Sequence, residues 1–197
     1  MPVTDYLVRN AELYPDEVAL VELNPDEKDT RRTTWKEFDL IQPINNMPYR
    51  REITWSVFNE KANRFANMLL SRGVKKGDKV AILMYNCLEW LPIYFGVLKT
   101  GAIAVPFNFR YDSDEIYYCA ELAQVDVIVF GFAFIGRIEV NAERLSRGRL
   151  LIYVGDNCPS FAESYHELVA DCSSKEPDVK ITEDDYGAIY FLSLIHI

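Results

Sequence analysis

From about residue 53 onward, apolar positions predict helices and strands in alternation. After a short strand at 51–55, apolar residues recur at spacings of four, three and four, which is the repeat of one buried helix face: Phe58, Ala62, Phe65 and Leu69. Residues 79–84 (KVAILM) form a nearly all-apolar run, typical of a strand covered on both faces. Similar runs predict strands that begin near residues 79, 102, 125, 150 and 188. This alternation predicts an α/β fold, a parallel sheet of βαβ units flanked by helices on both faces.

The helices between these strands are predicted from their end signals. Asn86 is the expected cap of a helix that reaches about residue 100, and Pro92 inside it should kink it or delay its start. Asp112 followed by Glu115 is a capping box that opens the next helix. The last two predicted helices span residues 133–146 and 159–170, the second with a proline near its first turn, and a charged linker at 175–185 precedes the last strand.

The first fifty residues are less regular. They predict a helix from Asp5 to Tyr14, a strand at 17–23 and a polar loop at 24–32. A second loop is marked by turn-forming residues: Pro43, Asn45, Asn46 and Pro48.

Composition narrows the class of protein. The chain has 197 residues, 49% of them hydrophobic, and a formal net charge of -9. The apolar content favours a globular core over disorder, and the acidic balance argues against a nucleic-acid or anionic-membrane partner. No apolar run reaches the ~20 residues of a membrane span, and no signal peptide is recognisable, so we expect a cytoplasmic protein. Only two histidines are present, His166 and His196, which disfavours a catalytic triad or a multi-histidine metal site.

Candidate sites are expected in the loops after the strands, because ligands of parallel sheets bind beyond the carboxyl ends. Gly131 and Gly136 have the spacing of two phosphate-loop glycines, but Arg137 follows them where lysine is needed, so this signal is weak. Asn108 and Arg110 follow another strand. The arginine could meet a phosphate or carboxylate, or both residues could hold the loop by hydrogen bonds and a salt bridge, which we favour.

Three other groups of residues are given structural interpretations. The aromatic residues of the helix around residue 90 are expected in the core: Trp90, Tyr94 and Phe95. His166 is expected at the surface or partly packed. The acidic run 183–185 is expected to be solvated or to cap the last strand.

Taken together, five stretches resemble the AMP-forming adenylating enzymes, especially acyl-CoA synthetases (fatty-acid–CoA ligases). They are residues 53–69, 73–80, 86–102, 105–110 and 184–191. Within the fourth, the form Asn108-x-Arg110 is more similar to acyl-CoA ligases than to peptide-synthetase adenylation domains. The resemblance implies part of the large N-terminal domain of the adenylating-enzyme fold, over residues 1–193.

The sequence departs from the family where the phosphate-binding loop should begin. Leu192 stands at the first threonine of the family's Thr-Ser-Gly-Thr-Thr-Gly pattern, Ser193 matches the serine, and no glycine follows. We therefore expect an N-terminal fragment in which residues 194–197 are a foreign tail. Ser193, as a remnant of the loop, is the one cofactor-binding candidate. No catalytic or metal-ligating residue is assigned.

The resemblance implies a carboxylate substrate, such as a fatty acid, with ATP, Mg²⁺ and coenzyme A as partners of the intact enzyme. The chain as it stands is expected to be inactive and to bind these cofactors poorly. One alternative is a stand-alone, non-catalytic α/β module that binds a nucleotide or an acyl group. Another is a poorly folding remnant that aggregates through a bare edge strand at 188–192.

Overall fold

The computed structural model describes residues 1–23, 30–35, 38–43 and 50–192, with side chains described for 1–22 and 51–192. The N-terminal part contains one helix and four antiparallel strands: α1 (Val3–Leu13), β1 (Val18–Leu23), β2 (Thr30–Trp35), β3 (Phe38–Pro43) and β4 (Arg50–Thr54). Strand β1 pairs with β4, and β2 pairs with β3. The predicted first helix and strand are confirmed. The polar loop predicted at 24–32 is wrong at its end, where β2 begins, and Asn45, Asn46 and Pro48 lie outside the described residues.

The larger sheet consists of five parallel strands in the described part of the chain. They are β5 (Lys79–Leu83), β6 (Ile103–Pro106), β7 (Val127–Gly131), β8 (Leu150–Val154) and β9 (Glu163–Ser164). Their order is β6-β5-β7-β8-β9, so the chain crosses over β5 when it passes from β6 to β7. The predicted parallel α/β sheet is confirmed, and the crossing creates a switch point between β5 and β7.

Helices cover this sheet on both faces. They are α2 (Trp55–Ser71), α3 (Trp90–Lys99), α4 (Ser113–Leu122), α5 (Ile135–Glu139), α6 (Ala142–Leu145) and α7 (Tyr165–Ala170). Successive residues of a strand point to opposite faces. Val80 and Ile82 therefore pack into the cluster with α2, α3 and α7, whereas Ala81 and Leu83 pack into the cluster with α4, α5 and α6.

The start of α3 corrects one prediction and confirms another. Asn86 does not cap the helix, which begins at Trp90 after Glu89. Pro92 explains the difference, because proline lacks an N–H and is tolerated in the first turn of a helix but not in its interior. The delayed start expected from Pro92 is confirmed.

The helix predicted at 159–170 is wrong in its first half. Glu163 and Ser164 pair with β8 at Ile152 and Tyr153 as an edge strand. Only the second half is helical, where the Ser164 hydroxyl accepts a hydrogen bond from the Glu167 N–H and caps α7. The region predicted to be helical at 133–146 is divided into a 3-10 turn (Phe132–Phe134) followed by α5 and α6. The capping box at the start of α4 is confirmed.

The last predicted strand is correct in position and direction but wrong in extent. Ala188 forms a single parallel bridge with Ala104 of β6. The Ala104 N–H donates to Gly187 O and the Ile189 N–H donates to Ala104 O, both at 2.9 Å. Tyr190 and Leu192 are exposed beyond this bridge. Aggregation through this edge stays a prediction.

Within the same described ranges, no helix combines the length and the apolar character that a membrane span needs.

Close packing of α2 on α3 depends on Gly96. A β-carbon at this position would lie 2.8 Å from the Ala62 carbonyl oxygen and 2.9 Å from Phe65 Cδ1. Both contacts are with the buried face of α2, so the helix has little room to move away. Glycine is therefore required here for the approach of two helices rather than for a turn.

We predict that Gly96→Ala lowers the free energy of unfolding by about 1–3 kcal/mol, as overpacking of a dense core does. Gly136→Ala is the matched control, because a β-carbon there meets nothing within 4 Å. It should be neutral or stabilising by up to about 1 kcal/mol, since alanine favours a helix over glycine. Urea denaturation of both variants measures the difference. Equal stabilities of the two variants would contradict this packing.

Candidate functional site

The carboxyl ends of β5, β6, β7 and β8 lie along one edge of the sheet, because these strands are parallel. The switch point lies between β5 and β7, where the chain leaves the sheet in opposite directions on either side. This is the usual position of a ligand in an open parallel sheet. The loops after β5, β6 and β7 therefore form the candidate site.

Tyr85 lies at the centre of this candidate site. Its ring is 5.7 Å from the ring of Phe109, in the loop after β6, and 5.1 Å from the ring of Phe134, which follows β7. Tyr85 is 51% exposed and Phe109 is 38% exposed. The loops after β5 and β6 thus present two exposed rings on which a planar group could stack, with the buried Phe134 packed beneath Tyr85.

Arg137 ties two of these loops together. Its Nη1 atom donates hydrogen bonds to the carbonyl oxygens of Phe109 at 2.6 Å and Tyr111 at 3.0 Å. Its guanidinium also lies 5.5 Å from the centre of the Phe134 ring. Charge-assisted bonds of this kind are stronger than neutral ones, so Arg137 holds the loop after β6 against the segment after β7.

The weak phosphate-loop pattern does not form a loop. Gly131 is the last residue of β7, and Gly136 lies inside helix α5. A phosphate site would need consecutive backbone N–H groups pointing into a loop. Residues 135–139 are instead helical, and the Arg137 side chain donates to the carbonyl oxygens of Phe109 and Tyr111.

Asn108 holds its own loop. Its Oδ1 atom accepts a hydrogen bond from the Arg110 N–H at 3.0 Å, and its carbonyl accepts one from the Tyr111 N–H at 3.0 Å. The interpretation that Asn108 holds the loop is confirmed. The Arg110 guanidinium lies 5.6 Å from the centre of the Phe109 ring, at the exposed side of the candidate site.

Cys87 is the thiol that follows β5, close to the candidate site in sequence. Burial, together with the nearby Glu89 carboxylate, raises the pKa of the Cys87 thiol to about 11. A thiol with this pKa is protonated at neutral pH and is a poor nucleophile. Cys87 therefore has the properties of a packing residue, and all four cysteines of the chain are free thiols.

The aromatic residues of α3 pack as predicted. The rings of Trp90 and Tyr94 stack with their centres 5.3 Å apart, and both pack against the core cluster of α2, α3 and α7. Phe95 packs against the cluster formed by α1 and α2. The core interpretation of these three residues is confirmed.

The remaining candidates lie away from the switch point. His166 is exposed, and its ring contacts that of Tyr165. In the acidic run, Glu183 pairs with the N-terminal amine at 2.7 Å. Asp185 pairs with Lys76 at 2.7 Å and accepts a hydrogen bond from the Thr182 N–H, as a local cap does.

Ser193 and residues 194–197 lie outside the described residues, so the cofactor-binding candidate has no described geometry. Over the ranges that the structure describes, no group of three or more His, Cys, Asp or Glu side chains could hold a metal ion. We assign no metal-dependent step to these residues.

Sequence reasoning missed Tyr85, Arg137 and Lys99. Tyr85 had a usable signal, because it follows directly after a buried strand. Arg137 was considered only as a departure from a phosphate loop. Lys99 is 3% exposed and lies in an otherwise apolar helix, which is itself a signal for a buried ion pair.

Comparison with known proteins decides the family. The family model of AMP-binding enzymes matches residues 7–193. The chain belongs to the AMP-binding enzyme family. Among curated AMP-binding enzymes it is 30% identical over 142 residues to the long-chain-fatty-acid–CoA ligase FadD13 of Mycobacterium tuberculosis. It is 38% identical over 84 residues to the crotonobetaine/carnitine–CoA ligase of Salmonella enteritidis.

Solved structures of AMP-binding enzymes share the fold. The anthranilate CoA ligase AuaEII in complex with anthranoyl-AMP superposes with a TM-score of 0.76 over 95% of this chain, at 22% identity. A Mycobacterium tuberculosis fatty acyl CoA synthetase superposes with a TM-score of 0.72 over 96% of this chain, at 24% identity.

The chain spans only part of these AMP-binding enzymes. The alignments cover 72% of this chain but 27% of FadD13, and 43% of this chain but 16% of the Salmonella ligase. The two superpositions each cover 32% of the solved chain. The chain thus spans about a third or less of the length of these proteins.

We predict that Arg137→Met loosens the loop after β6, because the Phe109 and Tyr111 carbonyls lose their charged donor. The free energy of unfolding should fall by about 1–3 kcal/mol, and the Tyr111 amide should exchange faster. Arg147→Met is the control, because that arginine, in the turn after α6, forms an exposed pair with Glu143 of that helix. Amide hydrogen exchange measures both variants. An unchanged Tyr111 amide in Arg137→Met would contradict the role of Arg137.

Proposed function

We propose that this chain is the N-terminal part of an AMP-forming acid–CoA ligase. The observation that carries the proposal is the family match over residues 7–193, shared with relatives that are named as CoA ligases. In this reaction a carboxylate attacks the α-phosphate of ATP to give an acyl-adenylate and pyrophosphate, and the thiol of coenzyme A then displaces AMP to form a thioester. A fatty acid is the proposed carboxylate, and the cytoplasm is the proposed compartment.

The direction of the last bridge supports this proposal. Ala188 pairs in parallel with Ala104, so the chain after it runs toward the carboxyl edge of the sheet. Phe191 has reached that edge, where its ring lies 6.0 Å from the ring of Phe107. This is the edge that also presents Tyr85, where ligands of parallel sheets bind.

The described residues contribute a scaffold to this chemistry. Residues 187–189 are held against β6 at Ala104, and Arg137 fixes the loop that follows β6. In the intact enzyme, Mg²⁺ and a glycine-rich loop would neutralise the charge of the ATP phosphates. A protein of these 197 residues alone is therefore proposed to lack adenylation activity, with residues 194–197 foreign to the family.

The test begins with the genomic DNA beyond codon 193. We predict an in-frame continuation rich in glycine and threonine codons. The protein encoded by that longer frame should show carboxylate-dependent exchange of pyrophosphate into ATP, and the purified 197-residue protein should show none. An intact stop codon in the genome, or saturable exchange by the 197-residue protein, would overturn the proposal.

A second candidate is a stand-alone module that binds a nucleotide or an acyl group. The exposed rings of Tyr85 and Phe109 favour it, since they offer a stacking surface without any further domain. Calorimetric titration of the 197-residue protein with ATP and with acyl-CoA distinguishes the two. Saturable binding that Tyr85→Ala weakens would support the module, and the absence of heat would exclude it.

A further inference from the structure

Helix α2 carries a row of asparagines that binds the backbone of a distant segment. Asn59, Asn63 and Asn67 are four residues apart and therefore lie on one face of the helix. The Asn63 side-chain amide donates to Ser174 O at 3.0 Å. The Asn67 amide donates to Ser173 O at 2.8 Å and to the carbonyl of residue 175 at 2.9 Å.

An ion pair between the buried Lys99 and Glu176 adds to this contact. Lys99 Nζ donates to Asn59 Oδ1 at 2.8 Å, Asn63 Oδ1 at 2.7 Å and Glu176 Oε2 at 2.5 Å. The other oxygen of Glu176 accepts from the amides of Asn59 at 2.6 Å and Asn63 at 2.9 Å. Lys99 thus uses all three of its protons, and both asparagines bridge the two charges.

Burial and mutual contact shift the pKa of both groups of the pair. Burial lowers the pKa of Lys99, and the Glu176 carboxylate opposes this effect. Burial alone would raise the pKa of Glu176, but hydrogen bonds from Lys99, Asn63 and Asn59 hold it below its ordinary value. A pair of this kind adds little net stability and is better suited to fixing a position.

The chain after Glu176 continues along the end of α3 and contacts it at two more points. A β-carbon at Gly101 would lie 3.3 Å from Ile181 Cδ1, and one at Gly187 would lie 3.8 Å from Leu98 Cδ2. The segment then reaches the bridge between Ala188 and β6. Residues 98–104 thus lie close to this segment at Glu176, Ile181, Gly187 and Ala188.

We propose that residues 173–188 form a strap that lies over the end of α3 and opens as one cooperative unit, held by the ion pair of the buried Lys99 with the partly exposed Glu176. The strap thereby fixes the position of Ala188 against β6. This inference goes beyond the proposed function, because it concerns the folded chain and needs no substrate. The pair of Lys76 and Asp185 lies nearer to Ala188 in sequence. Its lysine is 48% exposed, whereas Lys99 is 3% exposed and donates three hydrogen bonds, so we expect the Lys76 pair to contribute less.

In an alternative model, α2 and Lys99 hold only residues 173–176 and not the strap as a whole. Loss of their hydrogen bonds would then have a much smaller effect on the pairing of Ala188 with β6. In this model, loss of these hydrogen bonds lengthens the free chain before Ala188 from about 11 to about 17 residues. The longer chain makes the pairing of Ala188 with β6 roughly two-fold less favourable. A cooperative strap would instead open as a whole, together with the hydrogen bond of the Ile189 amide. The two models therefore differ in the size of the change at Ile189.

The test is hydrogen exchange of the Ile189 amide in the 197-residue protein, followed by NMR, with the Val129 amide as a report on global unfolding. We expect Lys99→Met to accelerate exchange at Ile189 by about ten-fold or more relative to Val129, as sub-global opening does. Lys76→Met is the matched control and should change it by less than about three-fold. Glu176→Gln should behave like Lys99→Met, and it provides the same test if Lys99→Met does not fold.

Two results would overturn the proposal. One is a change of roughly two-fold or less at Ile189 in Lys99→Met, or in Glu176→Gln where Lys99→Met does not fold, which is the effect of tether length alone. The other is an equal or larger change in Lys76→Met, which would mean that the pair of Lys76 and Asp185 fixes the segment instead.

Discussion

The alternation of side chains along the parallel strands is the constraint on which the rest of the structure depends. On β7, Val127 and Val129 point to one face and Ile128 and Phe130 to the other, and all four are buried. A strand that is apolar on both faces needs cover on both. The helices α2, α3 and α7 on one side and α4, α5 and α6 on the other supply it, and their crossovers create the switch point.

Sequence patterns predicted this part of the fold because its signals are local. The apolar runs gave the four longer parallel strands, and the helix repeat gave the buried face of α2 with Phe58 and Leu69. The capping box at Asp112 gave the start of α4, since its hydrogen bonds lie within one turn.

The incorrect predictions concern elements that depend on contacts with other parts of the chain. Strand β9 is two residues long and exists only because β8 leaves an edge to pair with, so residues 163–164 carry no repeat of their own. The extent of the last strand was overestimated for a similar reason. Its apolar sequence is compatible with a full strand, but the described chain provides one bridge at Ala188.

The candidate site was predicted as a set of loops but not as an arrangement. The rule for parallel sheets located the edge, whereas the contact of Tyr85 with two neighbouring loops depends on strand order, which the sequence does not specify. The same holds for Arg137, whose partners are 26 and 28 residues away. The buried Lys99 pairs with a carboxylate 77 residues away, so only the folded chain shows its role in placing the last segment.

The central claim is that one sheet is packed on both faces, and matched truncations test it most directly. Ile82 faces the cluster of α2, α3 and α7, Ile128 faces the cluster of α4, α5 and α6, and both are at most 1% exposed. Urea denaturation of Ile82→Ala and Ile128→Ala should show a loss of about 2–5 kcal/mol for each, in a single cooperative transition. A loss below about 1 kcal/mol in either variant would mean that its face of the sheet is not packed, and would contradict the account.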